Sequence, residues 1–295
     1  MGKTILFGPS GFLGPTILKR FPKIIAVGRN KPPFYCKNKF IKIKNVNNLK
    51  ILNNINIDYV IFLVGNSNHH VLNNQDLDLS LSYNLYPLKQ ALDYFSKRKI
   101  KKFISFSGAL IYDEKKLKLP CKENNAINPF KNNYIFSKYL AEQIMKTYSN
   151  LVPGICVRAS NMYGPSHLSR TDVVISLFNK ALKKKIIKVK SMKPKRDFIH
   201  VDDVADAVIA LCKSNYSGNI NIGSGKCYSI KKICSIIEKV AKVKIRNLNK
   251  KVDGPMKYYH DIGLVKKVTG WKPKINLEEG LEQSWKQILN WQKIY

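Results

Sequence analysis

The stretch that decides the fold is Met1-Gly-Lys-Thr-Ile-Leu-Phe7-Gly-Pro-Ser-Gly-Phe-Leu-Gly14. A short apolar run from Thr4 to Phe7 leads into glycines at positions 8, 11 and 14, and an apolar helical segment follows. A strand that turns sharply through glycines into a helix aims backbone N–H groups and the helix N-terminus at a pyrophosphate. The residues expected to hold that group are Gly8, Ser10, Gly11, Phe12, Leu13 and Gly14. With Phe12 as the first helical residue, Pro15 takes the last position whose N–H has no partner inside the helix, so proline costs little there.

Outward from this turn, apolar strand runs alternate with amphipathic helices, which argues a doubly wound parallel sheet. The further strands are read at Lys23-Ile-Ile-Ala-Val-Gly-Arg-Asn30, Phe40-Ile-Lys-Ile43, Asp58-Tyr-Val-Ile-Phe-Leu-Val64, Phe103-Ile-Ser-Phe-Ser107 and Gly154-Ile-Cys-Val-Arg158. Helices are expected over 79–97 and 133–148, the second from the spacing of Ile135, Tyr139, Leu140, Ile144 and Met145. Beyond Pro165 the alternation loosens, with helices over 173–184, 203–213 and 277–291 and a strand over 219–222. The reading is an α/β, Rossmann-like fold: a dinucleotide-binding unit over 1–165 with a return segment at about 196–223. A smaller, discontinuous substrate lobe is built from 166–195 and 224–295.

Composition narrows the function classes. The 295 residues are 44% hydrophobic and 11% aromatic, enough for a real core. No apolar run approaches the roughly 20 residues of a membrane span, and the chain opens directly on a strand rather than a leader. Six cysteines show no Cys-x-x-Cys spacing and no histidine partners, so they read as reduced cytoplasmic thiols, and no metal site is expected. The 52 Lys and Arg against 19 Asp and Glu give a net charge of +33. The basic residues are nearly all lysine and are spread through the chain beside abundant Asn and Ile. That is a compositional drift, with no basic arm or module, and nucleic-acid binding is not expected.

Chemistry is concentrated in Tyr134-Ile-Phe-Ser-Lys138. Tyr and Lys four apart on a helix share a face, and a nearby ammonium lowers the pKa of a phenol toward use as an acid and base. His69 and His70, in Val64-Gly-Asn-Ser-Asn-His-His70, do not share a face and have no carboxylate cluster nearby; they read as lining a mouth rather than a metal site. Trp271, Trp285 and Trp291 read as packing residues.

In this order, the motifs make the chain resemble the extended short-chain dehydrogenase/reductases, in the nucleotide-sugar epimerase/dehydratase group. The marks are Gly8-x-x-Gly11-Phe-Leu-Gly14, Tyr134-x-x-x-Lys138 with Ser137 and Glu142, and Val157-Arg-Ala-Ser-Asn-Met-Tyr-Gly-Pro165. Further on come Arg196-Asp-Phe-Ile-His-Val-Asp-Asp203, Asn221-Ile-Gly-Ser-Gly225, Gly270-Trp-Lys-Pro273 and Leu277-Glu-Glu-Gly-Leu281. The resemblance implies an NAD(P)-dependent nucleotide-sugar epimerase or 4-ketoreductase of surface-polysaccharide synthesis. In it hydride passes between a sugar carbon and the nicotinamide. Tyr134 is then the acid/base, Lys138 holds the nicotinamide ribose and lowers the tyrosine's pKa, and Asn161, Arg196 and Lys251 face the nucleotide diphosphate. It also implies a homodimer through the helices at 79–97 and 133–148.

Departures from the group's pattern carry expectations of their own. Gly108 stands where the group places a Ser or Thr, so Ser107 is the candidate hydroxyl. The alternative is a catalytically weakened dinucleotide-binding regulatory or scaffold protein. Ala109 and Leu110 stand where 4,6-dehydratases carry Asp-Glu, and Leu110 also replaces the cysteine of the double-epimerising type, which leaves plain hydride chemistry. Lys251 stands where an arginine is usual and loses the bidentate fork. At the end of the second strand, Gly28-Arg29 replaces the usual ribose-binding Asp, so NADP is expected as cofactor, with NAD as the other possibility and Arg29 at the 2′-phosphate.

Overall fold

The computed structural model describes residues 2–33, 35–66, 76–168, 170–252 and 254–292. The strands in chain order are β1 (Thr4–Phe7), β2 (Ile25–Gly28), β3 (Phe40–Lys42), β4 (Tyr59–Phe62), β5 (Lys102–Phe106), β6 (Gly154–Ala159) and β7 (Asn161–Tyr163). They continue as β8 (Ile186–Val189), β9 (Lys195–Arg196), β10 (Phe198–His200), β11 (Gly218–Ile222), β12 (Tyr228–Ser229) and β13 (Lys244–Asn247). Seven of them form one sheet in the order β11-β6-β5-β4-β1-β2-β3, with every pairing parallel. The winding reverses between β1 and β4, which opens a crevice at their carboxyl ends.

The helices are α1 (Gly14–Arg20), α2 (Leu77–Asn84), α3 (Tyr86–Phe95), α4 (Asn133–Thr147), α5 (Val173–Ala181), α6 (Val201–Cys212), α7 (Ile230–Ala241), α8 (Gly263–Thr269) and α9 (Leu277–Gln292). Strand β1 is buried on both faces: Leu6 packs with α1 and α6, whereas Ile5 and Phe7 pack with α3 and α4. A third apolar cluster lies away from the sheet, where Leu177 and Phe178 of α5, Ile233 and Ile237 of α7, and Leu281 and Trp285 of α9 meet. Between α5 and α7 in the chain, α6 and β11 return to the sheet edge.

Two local expectations are corrected. Helix α1 begins at Gly14, capped by Leu13, rather than at Phe12. Gly8 takes φ +79° and its carbonyl accepts from Gly11 N at 3.3 Å, so the chain is still turning through 8–13 and Pro15 falls in the first turn. The helix expected over 79–97 is two helices, α2 and α3, meeting at Leu85. Pro87 has no N–H to give to the carbonyl of Tyr83, and the helix restarts there with proline in its first turn.

A buried polar network fixes α4 to the sheet. Arg158 of β6 donates from Nε to Glu142 Oε1 at 2.8 Å and from Nη2 to Glu142 Oε2 at 2.6 Å. Its Nη1 donates to Tyr112 Oη at 3.1 Å and to the carbonyl of Glu123 at 2.9 Å. Burial alone would lower the pKa of Arg158, but the Glu142 hydrogen bonds and charge outweigh it and hold the guanidinium above its ordinary value. Helix α4 is thereby set at a fixed height on β5 and β6.

Candidate active site

The crevice is floored by the glycine turn. A Cβ at Gly14 would lie 2.6 Å from the Gly8 carbonyl oxygen and 2.8 Å from that of Pro9, so only glycine lets α1 start this close to the turn. At Gly11 a Cβ would meet only the Gly8 oxygen, at 3.5 Å, leaving the space above the turn open. Leu13 caps α1 without a side-chain acceptor. Gly8, Ser10, Gly11, Phe12, Leu13 and Gly14 thus form the turn from β1 into α1, with Phe12 and Leu13 buried in the core against α1 and α6.

Helix α4 presents Tyr134 and Lys138 to the same crevice. Asn132 starts the helix by accepting the N–H of Ile135 at 2.9 Å, and the Tyr134 ring is buried in a cluster with Ile111, Tyr112 and Ile135. Lys138 Nζ lies 5.9 Å from the centre of the Tyr134 ring and donates to the Phe106 carbonyl at 3.4 Å, at the end of β5. Ser107 is the next residue. It is 8% exposed, and its Oγ has no hydrogen-bond partner within the chain. A buried hydroxyl of this kind is costly unless something else satisfies it. Lys138 thus lies between the Tyr134 ring and the end of β5, one residue before Ser107.

The electrostatics correct one expectation. The phenol of Tyr134 is pushed up to about 12, by burial first and then by the carboxylate of Asp172, with the Arg170 guanidinium pulling the other way. Lys138 does not hold it low, because burial has already drawn the ammonium itself down to about 8. Folding therefore disfavours charged Lys138 throughout the range below pH 8, and the penalty fades as pH rises from about 8 toward 10.5. Some Lys138 surface remains accessible, so we place the penalty at about 1–3 kcal/mol, below the full conversion. Lys138→Met is expected to raise the melting temperature at pH 7 and to lose that gain by pH 10. A lower melting temperature at pH 7 would contradict this.

The other expected residues divide. Asn161 opens β7 beside β10; its Nδ2 donates to the Asp197 carbonyl at 2.9 Å. Arg196 is half-buried, donates from Nη1 to the Lys195 carbonyl at 3.0 Å, and has Nη2 3.5 Å from where a Gly254 Cβ would be. Asn161 thus bonds to the residue that follows Arg196, and the exposed Lys251 lies three residues before Gly254 in the chain. Arg29 is exposed just past β2. Gly28 has a packing cause: a Cβ there would lie 2.7 Å from Pro9 Cδ. His69 and His70 lie outside the described residues. Among the described residues, no group of His, Cys, Asp and Glu is arranged to hold a metal ion.

Four further residues belong to the site. Asn84, at the end of α2, accepts Asn66 N on Oδ1 at 3.0 Å and donates from Nδ2 to Ser137 Oγ at 3.2 Å. Ser137 Oγ in turn donates to the Tyr134 carbonyl at 2.7 Å, which locks the turn carrying the phenol. A Cβ at Gly65 would come within 2.9 Å of Asn84 Oδ1 and 3.5 Å of Lys138 Nζ, so this network needs glycine after β4. Arg170 pairs with Asp172, Nε to Oδ2 at 2.6 Å, and its guanidinium carbon sits 4.8 Å from the centre of the Phe12 ring. A lone Asn in a helix and an Arg in a loop carry no spacing signal, which is why sequence reasoning passed over them.

Comparison with known proteins bears on this arrangement. The family model described as the NAD dependent epimerase/dehydratase family matches residues 4–223. A candidate UDP-glucose 4-epimerase of Methanocaldococcus jannaschii is 34% identical over 211 residues, 68% of this chain and 66% of that protein. Curated relatives are thus matched over half to two thirds of their length, from 48% to 66% in the first three. The UDP-glucose 4-epimerase of Thermotoga maritima, solved with UDP-glucose, superposes with a TM-score of 0.87 at 19% identity over 99% of both chains. The UDP-glucuronic acid 4-epimerase of Bacillus cereus, solved with UDP-glucuronic acid and NAD, gives 0.82 at 22% identity over 99% of this chain and 100% of that one. These two likenesses establish the fold, and the family match, covering 220 positions (4 to 223) of the 295, establishes descent. The chain belongs to the NAD-dependent epimerase/dehydratase family.

Proposed function

We propose that the chain is a nucleotide-sugar 4-epimerase or 4-ketoreductase that uses NADP, with Tyr134 as its acid and base. The observation that carries this reading is Lys138 Nζ lying 5.9 Å from the Tyr134 ring and bonded to the Phe106 carbonyl, next in the chain to Ser107, whose buried hydroxyl has no partner within the chain. The residues present fit a nicotinamide dinucleotide: Gly8 takes a left-handed turn, the space over Gly11 is open, and a buried hydroxyl awaits a partner. The bound cofactor supplies reversible hydride transfer at the sugar's 4-position. Tyr134 exchanges the proton of the 4-oxygen, and Ser107 hydrogen-bonds that same oxygen. Lys138, protonated below about pH 8, adds positive charge to the cleft and holds the ribose of the cofactor. A phenol kept protonated at neutral pH is in the form that donates to the oxygen of a keto-sugar. Arg196, Asn161 and Lys251 hold the nucleotide diphosphate on the side of the smaller unit.

Residues 1–165 and about 196–223 form the dinucleotide-binding lobe, and 166–195 with 224–295 form the substrate lobe. The protein works in the cytoplasm without nucleic acid, in keeping with six free cysteines. Among the described residues, no helix is long and apolar enough to cross a membrane. It pairs as a homodimer through 79–97 and 133–148, where Tyr83 and Tyr86 are exposed; a monomer in sedimentation velocity at micromolar concentration would contradict this.

Gly108 favours the second reading, a weakened dinucleotide-binding protein, and it also supplies the test. Its backbone is extended, at φ −166°, and a Cβ there meets nothing within 4 Å, so a serine fits without strain. Nucleotide keto-sugars are to be screened for thermal stabilisation and for turnover. With an active pair in hand, Ser107→Ala is expected to lower turnover about 10–100-fold, and adding Gly108→Ser to recover most of it. If Ser107→Ala turns over as fast as the parent, Ser107 is not the working hydroxyl; if no keto-sugar turns over although some bind, the weakened protein is the better account.

A further inference from the structure

A cavity of about 560 Å³ opens beside the glycine turn at Ser10, and neither Tyr134 nor Lys138 lines it. Ser10 and Lys31 line it from the sheet side, and His167 and Lys183 from the smaller unit, after β7 and α5. The Ser10 backbone lies against the His167 ring, whose pKa burial pulls below its ordinary value. Tyr35, in the segment after β2, stacks on Trp291 of α9 with centroids 5.4 Å apart and planes 10° apart, closing one wall. The lining holds two lysines, a histidine and no carboxylate. Arg29, the residue that the sequence offered for cofactor choice, is exposed and is not part of that lining.

Lys31 and Lys183, both exposed, border the same half-open cavity with no carboxylate in its lining, which gives the space a positive potential suited to an anion. The space borders Ser10, in the turn that would hold the pyrophosphate, and Lys31, in the segment that follows the ribose end of β2. We propose that this cavity is the subsite for the 2′-phosphate of NADP, gripped from both lobes. Lys31 and the Ser10 turn act from one side, and Lys183 and His167 from the other. The phosphate that distinguishes NADP from NAD then draws the substrate lobe onto the cofactor. NAD, lacking it, leaves the two lobes joined only by their direct contacts. The inference rests on the NADP reading above.

The test is binding of NADPH and NADH to the whole protein, followed by dihydronicotinamide fluorescence, with 2′,5′-ADP and 5′-AMP as displacing probes. Wild type is expected to favour NADPH at least tenfold. Lys183→Met and Lys31→Met should each weaken NADPH about tenfold, a value suited to one charge-assisted phosphate contact, and change NADH less than twofold. The double variant should bind both equally, and 2′,5′-ADP but not 5′-AMP should change the emission assigned to Trp291 by comparison with Trp291→Phe. Equal losses for both cofactors would reveal general damage and overturn the subsite. An unchanged NADPH affinity in both lysine variants, with preference lost in Arg29→Met, would overturn the subsite and leave the NADP reading intact. A wild type that favours NADH would overturn both.

Discussion

Replacing Tyr134 with phenylalanine is expected to lower turnover about 10²–10⁴-fold, the usual worth of a positioned acid or base, while cofactor affinity stays within about threefold. The substitution removes one oxygen and leaves the ring in its apolar cluster with Ile111, Tyr112 and Ile135, so the helix that carries Lys138 keeps its place. The fall should appear in kcat rather than KM, because the phenol acts on the reacting oxygen and not on the nucleotide. The direction matters too. With its proton held to about pH 12 by burial and by Asp172, Tyr134 stands as the neutral phenol at neutral pH, the form that donates to a keto-sugar oxygen. Above about pH 8, loss of the Lys138 proton removes a cation 5.9 Å from the Tyr134 ring centre and should depress both directions. A Tyr134→Phe variant that kept most of the parental kcat would show that another group moves the proton.

The second large effect concerns stability. Glu142→Ala leaves the guanidinium of Arg158 buried, 4% exposed at the side chain, with only the Tyr112 hydroxyl and the Glu123 carbonyl. It also strands Asn219, whose Nδ2 donates to Glu142 Oε2 at 2.9 Å. Removing one partner of a buried pair typically costs about 3–5 kcal/mol, here roughly a 5–15 °C fall in the melting temperature. The paired replacement Glu142→Met with Arg158→Leu deletes both charges together and should recover most of the loss. If the single and the double variants melt alike, the pair is not what fixes α4 to the sheet.

Much of this was legible in the sequence. The glycine turn is readable because β1 is buried on both faces and only glycines at 8 and 14 let the chain turn into α1 so tightly. The Tyr134–Lys138 spacing is readable because one helical turn sets the Lys138 ammonium 5.9 Å from the Tyr134 ring centre. Three things were not. Pro87 splits the expected long helix, and a proline in a helix's first turn looks the same in sequence whether the helix continues or restarts. The tyrosine's high pKa arises from burial and from Asp172, which lies far along the chain beyond β6 and β7, and no local pattern reveals it. The close contact of Gly28 with the Pro9 ring is a further packing requirement on that position, and no local sequence pattern shows it.

The central claim is that a nucleotide sugar reacts with a nicotinamide held beside Tyr134. The most direct test mixes the protein, loaded with oxidised cofactor, with an excess of each thermally stabilising nucleotide sugar, and follows reduced nicotinamide absorbance through a single turnover. The account predicts a transient rise for at least one of them, slowed about a hundredfold or more in Tyr134→Phe. A flat trace with every nucleotide sugar that binds, or an equal transient in the phenylalanine variant, would contradict it.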